Sequence, residues 1–182
     1  MLLTLLVFAL EGAPPPDAGL PESLTPEAGL AHLFPGPFAD LLTSPDTVIV
    51  AGLAERGDEL LTEEADTQFV AGWKKVLSAP ERAAVLALVG KGSSYEVMNH
   101  ARCAPKRCLF VMLCGGFNPS LQVTLQNGPR RARIRVCFGC GELWVTRFEG
   151  KKQVADEQAA LQDVDGWVGT FSPLLPRPRP KK

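Results

Sequence analysis

Hydrophobic and polar residues alternate most regularly between Leu121 and Val136. Leu121, Val123 and Leu125 recur at every second position, as do Ile134 and Val136, which is the period of a strand with one buried face. Between the two runs stands Asn127-Gly128, the dipeptide best suited to a type I′ turn. An antiparallel hairpin pairing residues 121–126 with 130–136 is therefore predicted. Leu143, Trp144, Val145 and Thr146 continue into Arg147-Phe148 and a turn at Glu149-Gly150-Lys151, giving a third strand.

Further upstream, Thr47 to Leu53 is β-branched and apolar, bounded by Pro45 and the polar stretch from Glu55 to Asp58, and reads as a buried strand. Another strand is expected from Thr67 to Leu77, where Phe69, Ala71 and Trp73 alternate with more polar positions. The period then changes to that of a helix. Ser78 and Glu81 have capping-box spacing, Pro80 lies in the first turn, and the apolar run over 83–88 stops at Gly90, so a helix over 79–89 is predicted. Ala155 to Val164 has helix-forming composition with weak periodicity. The expected fold class is α+β: a mainly antiparallel sheet, a meander containing the Asn-Gly hairpin, with one or two helices packed on its apolar face.

The ends of the chain differ from this middle. Residues 2–10 are uncharged and mostly apolar, too short to span a bilayer as a helix but long enough for the hydrophobic part of a signal peptide. No Lys or Arg precedes the run, and Glu11 sits just before the expected cleavage after Ala13, so a buried N-terminal element is the alternative. From Pro14 to Pro45 proline recurs, and its fixed φ and missing donor suit a tether or loosely packed arm, whose apolar Leu30, Leu33, Phe34 and Phe38 can dock on the domain. The last stretch, with Pro173, Pro176, Pro178 and Pro180 among Arg and Lys, reads as a solvated basic tail. The expected organisation is a signal segment over 1–13, a Pro-rich arm over 14–45, one domain over 46–170 and a tail over 171–182.

Composition narrows the partners more than the chemistry. The 182 residues are 46% hydrophobic and carry a net charge of -1, so the electrostatic footprint of a nucleic-acid binder is missing. No nucleic-acid partner and no transmembrane span are expected. Arg131, Arg133 and Arg135 share one strand face, which presents cations to phosphate or anionic lipid or, more simply, forms the solvent side of a sheet. Glu63, Glu64 and Asp66 read as a solvated acidic loop, and neither His32 nor His100 lies in a recognised nucleophile motif. No catalytic residue is assigned.

The candidate chemistry lies in the cysteines. Cys103, Cys108, Cys114, Cys137 and Cys140 crowd one part of the chain, and their odd count leaves one over in any fully paired intramolecular scheme. Cys137-Phe138-Gly139-Cys140 has the spacing of half a zinc site, with Cys103 and His100 as the remaining ligands. A thiol oxidoreductase is the lesser alternative, because the residues after Cys140 are strand-like and no helix N-terminus lowers the thiol pKa. Structural disulfides among the five are the leading reading, and their connectivity stays open.

A resemblance joins these pieces. Trp73, Val76 and Leu77, the helix after them, Cys114 before Phe117-Asn118-Pro119, the alternating hairpin and Cys137-Phe138-Gly139-Cys140 together resemble a family of uncharacterised bacterial exported or lipoprotein-like proteins. The sequence departs from that pattern between Gly92 and Cys114, where Cys103 and Cys108 are extra. The resemblance implies an exported single-domain α+β protein, of the periplasm or exterior, and implies no activity; the partner stays unknown, an envelope protein being one candidate. The expected function is a non-enzymatic envelope or secreted module without a cofactor, a zinc-binding module being the alternative; a cytoplasmic location is the alternative to export.

Overall fold

The computed structural model describes residues 25–55, 69–97, 119–139 and 141–176. Seven strands form one antiparallel sheet: β1 (Thr47–Glu55), β2 (Phe69–Val76), β3 (Tyr95–Val97), β4 (Leu121–Asn127), β5 (Arg130–Cys137), β6 (Glu142–Glu149) and β7 (Lys152–Leu161). Their order is β2-β1-β4-β5-β6-β7-β3, so the last four long strands follow one another as a meander and β1 joins its side. Among the described residues four helices accompany the sheet: α1 (Pro26–Leu33), α2 (Asp40–Thr43), α3 (Ala79–Val89) and α4 (Val164–Phe171). The expected α+β class holds. No helix among the described residues is long and apolar enough to cross a membrane.

Alternation decides which face packs. Val48 and Val50 of β1, Val123 and Leu125 of β4, Ile134 and Val136 of β5, and Leu143 and Val145 of β6 are all buried in one cluster with residues from the helices. Leu33 comes from α1, Leu41 from α2, Val85 and Val89 from α3, and Trp167 and Phe171 from α4. Fully burying an aliphatic side chain of this size contributes about 1.5–3 kcal/mol. Capping of α3 follows the sequence: Glu81 accepts from the backbone N–H and the hydroxyl of Ser78 at 3.0 and 2.8 Å.

Two expectations are corrected. The hairpin turn is not Asn127-Gly128. Asn127 pairs with Arg130, so the two-residue loop is Gly128-Pro129, with Gly128 at φ 54 and no non-glycine residue at positive φ among the described residues. Proline explains the slip: an Asn-Gly loop would oppose Gln126 to Pro129, which has no N–H to give the ladder, whereas glycine at the first central position suits a type II′ turn. Second, the segment from Ala155 belongs to β7 and is not helical. It pairs with β6 along its length, from Glu142↔Ala160 to Glu149↔Lys152, and that ladder outweighs a helix propensity of tenths of a kcal/mol per residue.

Described structure also extends before residue 46 and past 171, and the apolar residues of the arm dock on the sheet as the sequence suggests. Leu33, Phe34, Phe38 and Leu41 are buried, so the described part of the Pro-rich arm is built into the core; Phe171, placed at the start of the tail, is buried too. Pro26 sits in the first turn of α1 and Pro37 in a 3-10 turn, positions where the missing N–H costs nothing.

Candidate functional site

A pocket opens where the ends of several strands meet α4. Its floor depends on glycine. Gly52 pairs with Trp73 on one side and Leu121 on the other, and the ladder to β2 slips between Gly52 and Leu53. A Cβ on Gly52 would come within 2.1 Å of Trp73 Nε1, so the indole occupies the space that a side chain would fill. Glycine inside a strand marks such close approaches. Backbone bonds then tie three strands together: Leu53 N–H donates to the Ser120 carbonyl at 3.0 Å, and Ser120 N–H donates to the Val136 carbonyl at 3.0 Å. Phe138 follows directly, in the turn after β5.

The opposite wall is α4. Asp163 caps it by accepting from Gly166 N–H at 3.0 Å, and the Lys91 ammonium reaches the same carboxylate at 2.9 Å. These two donors, Lys91 first, hold the Asp163 carboxyl below its ordinary pKa. Trp167 and Phe171 stack with ring centroids 5.4 Å apart and anchor the helix in the core, leaving Val168 on the outer side. The resulting cavity is about 480 Å³, within the ordinary range for small-molecule sites. Among its lining are Trp73, Leu121, Phe138, Phe171, Val168 and Leu175. Val168 and Leu175 are each 44% exposed. None of the described lining residues is titratable.

The cysteines contribute one described residue. Cys137, at the end of β5, is 2% exposed and pairs with Glu142 across the ladder; it is engaged and not free. His100, Cys103, Cys108, Cys114 and Cys140, the other expected zinc ligands and disulfide candidates, lie outside the described residues. Among the described residues no group of three His, Cys, Asp or Glu side chains forms a metal site.

Of the arginine stripe, Arg135 is buried, whereas Arg131 and Arg133 are half-buried. Arg131 and Arg133 lie 4.4 and 4.7 Å from the Phe148 ring centroid. Arg135 is 5% exposed and donates to Thr146 Oγ1 at 3.1 Å, while the Thr146 hydroxyl donates to Asp156 at 2.6 Å. The cations are thus spent inside the second face of the sheet, on ring and hydrogen-bond contacts. His32 is structural, as a lone histidine usually is: its Nε2 lies 3.2 Å from Glu157, which also faces Arg147.

Sequence reading placed Trp73 on a strand but missed the pocket around it. Gly52 and Gly72, each inside a strand, were the available signal. Val168 fell just beyond the last predicted element, and Leu175 in the supposed tail. Comparison with family models, curated proteins and solved structures finds no match. The family resemblance drawn from the sequence therefore rests on its motifs alone.

Proposed function

We propose that the protein is a non-enzymatic binding module of the cell envelope or exterior, whose site is the pocket between Trp73, Phe138 and α4. The observation that carries this reading is the lining: apolar and aromatic side chains, with the hydroxyls of Ser120 and Ser172 and no described acid, base or nucleophile of perturbed pKa. Such a site binds and orients; acid–base or nucleophilic chemistry needs titratable groups at the reacting atoms.

Export and cysteine bracing belong to the same proposal. The apolar run over 2–10 and the cysteine cluster support an oxidising compartment. Burial and engagement of Cys137 support its role as one half of a structural disulfide. Alkylation without reductant followed by peptide mapping should leave Cys137 unlabelled and linked to another cysteine; rapid labelling would refute the bridge.

The binding test uses N-phenyl-1-naphthylamine, an uncharged fluorophore that brightens in apolar surroundings. Saturable binding at one site per chain is expected. Val168→Lys, at a half-exposed position, should weaken it roughly tenfold or more by placing an ammonium at the opening, with thermal stability unchanged. Non-saturable binding, or binding indifferent to this substitution, would refute the pocket as the site.

A further inference from the structure

The chemistry of the lining narrows what the pocket takes. Three aromatic side chains reach it from three different places: Trp73 from β2, Phe138 from the turn after β5, and Phe171 from the end of α4. Aromatic rings attract one another in offset or edge-to-face arrangements beyond what their buried area alone supplies. Convergence of three rings therefore favours a planar occupant over a flexible chain, which would also lose more rotational freedom on being ordered.

Charge is the second constraint. No described lining residue carries an acid or a base, and the lining hydroxyls belong to Ser120 and Ser172. A carboxylate or ammonium entering such a cavity would lose its hydration without gaining a counter-charge. A neutral hydroxyl or carbonyl, by contrast, can exchange hydrogen bonds with a serine hydroxyl, which both donates and accepts. Half-exposed Val168 and Leu175 leave an apolar border at the opening.

We infer that the pocket selects an uncharged, ring-bearing small molecule carrying a hydroxyl or carbonyl group, and rejects carboxylates and ammonium ions of the same shape. The inference rests on the binding reading above. Its volume of about 480 Å³ admits a ligand of two or more fused rings.

The test is competition on the full chain carrying bound N-phenyl-1-naphthylamine, at neutral pH. The competitors are 2-naphthol, naphthalene, 2-naphthoate, 2-naphthylmethylammonium and octan-1-ol. Displacement by 2-naphthol at the lowest concentration is expected, with both ions weaker by roughly tenfold or more. Ser120→Ala combined with Ser172→Ala should narrow the advantage of 2-naphthol over naphthalene without lowering thermal stability. Equal displacement by 2-naphthoate, or stronger displacement by octan-1-ol, would overturn the inference while leaving the pocket a binding site. A chain that never takes up the reporter would overturn the binding reading and the inference together.

Discussion

The Arg147 guanidinium donates to the Leu33 carbonyl at 2.5 Å, joining the core side of β6 to the last residue of α1. The same side chain donates to the His32 carbonyl at 3.1 Å and to Glu157 at 3.3 Å. A cation at this end satisfies carbonyls that have no partner within the helix and complements the helix dipole. Arg147 thus secures a segment whose composition suggests a tether. Arg147→Met should cost about 2–3 kcal/mol, since it leaves carbonyls unpaired and leaves the half-buried Glu157 carboxylate without its guanidinium partner. Arg147→Lys should recover only part, because an ammonium cannot reproduce the fork. The urea midpoint, at unchanged slope, is the measurement.

Glu81 gives the clearest pH dependence. Its carboxyl is held down to about 2 by the hydrogen bond from Lys75, then by the side chain and backbone of Ser78. With a folded pKa below the ordinary 4.5, its contribution is fully present above pH 4.5 and is lost as pH falls toward 2. Stability measured against pH should separate the native chain from Glu81→Gln above pH 5 and bring the curves together near about pH 2. A gap that persists unchanged in acid would show that the ionised form plays no part.

At the pocket floor, Gly52→Ala should destabilise the sheet and weaken reporter binding, because the new Cβ meets the Trp73 indole. The clash disappears if the ring does. Gly52→Ala should therefore cost less in a Trp73→Ala background than alone, a coupling of about 1 kcal/mol or more in a double-mutant cycle. Additive costs would mean that the indole does not rest on the glycine.

The turn makes a matched pair. Gly128→Ala forces a side chain into the left-handed region and should cost about 1–2 kcal/mol. Asn127 is an ordinary strand residue whose side chain makes one exposed bond to the Ser44 carbonyl at 3.3 Å, so Asn127→Ala should cost about 0.5 kcal/mol or less. Under an Asn-Gly turn the two costs would lie closer together. Thermal or urea unfolding of both variants distinguishes these cases.

The paired strands were legible because each buries one face, so period two survives in the residues themselves. Leu121, Val123 and Leu125 announce β4 in this way. β7 did not: Val154 is 41% exposed, Ala155 and Ala159 are small, and the charged pair Asp156 and Glu157 finds Thr146 and Arg147 on the neighbouring strand. What makes it a strand is the open edge of β6, which no local pattern records. The turn slipped for a related reason, since Pro129 acts through a donor missing from the opposite strand. For the site, the cysteines drew attention because their chemistry is carried by residue type. The pocket is made by shape, by Gly52 yielding to Trp73 and by α4 crossing the strand ends, and shape appears only once distant elements meet.

Strand order carries a consequence for the time course of folding. The meander from β4 to β7 assembles from neighbours in sequence, whereas β1 reaches across the chain to set Thr47 against Gln126, and β2 arrives with it. Long loops close slowly, so distant pairings follow local ones. Gly52, Leu53 and Trp73 belong to the distant β1–β2 pair, while Leu121 and Phe138 belong to the meander and its turn. The pocket therefore lies on the seam between sequence-local and long-range pairing, and reporter binding is expected to appear only once the long-range pairing has formed.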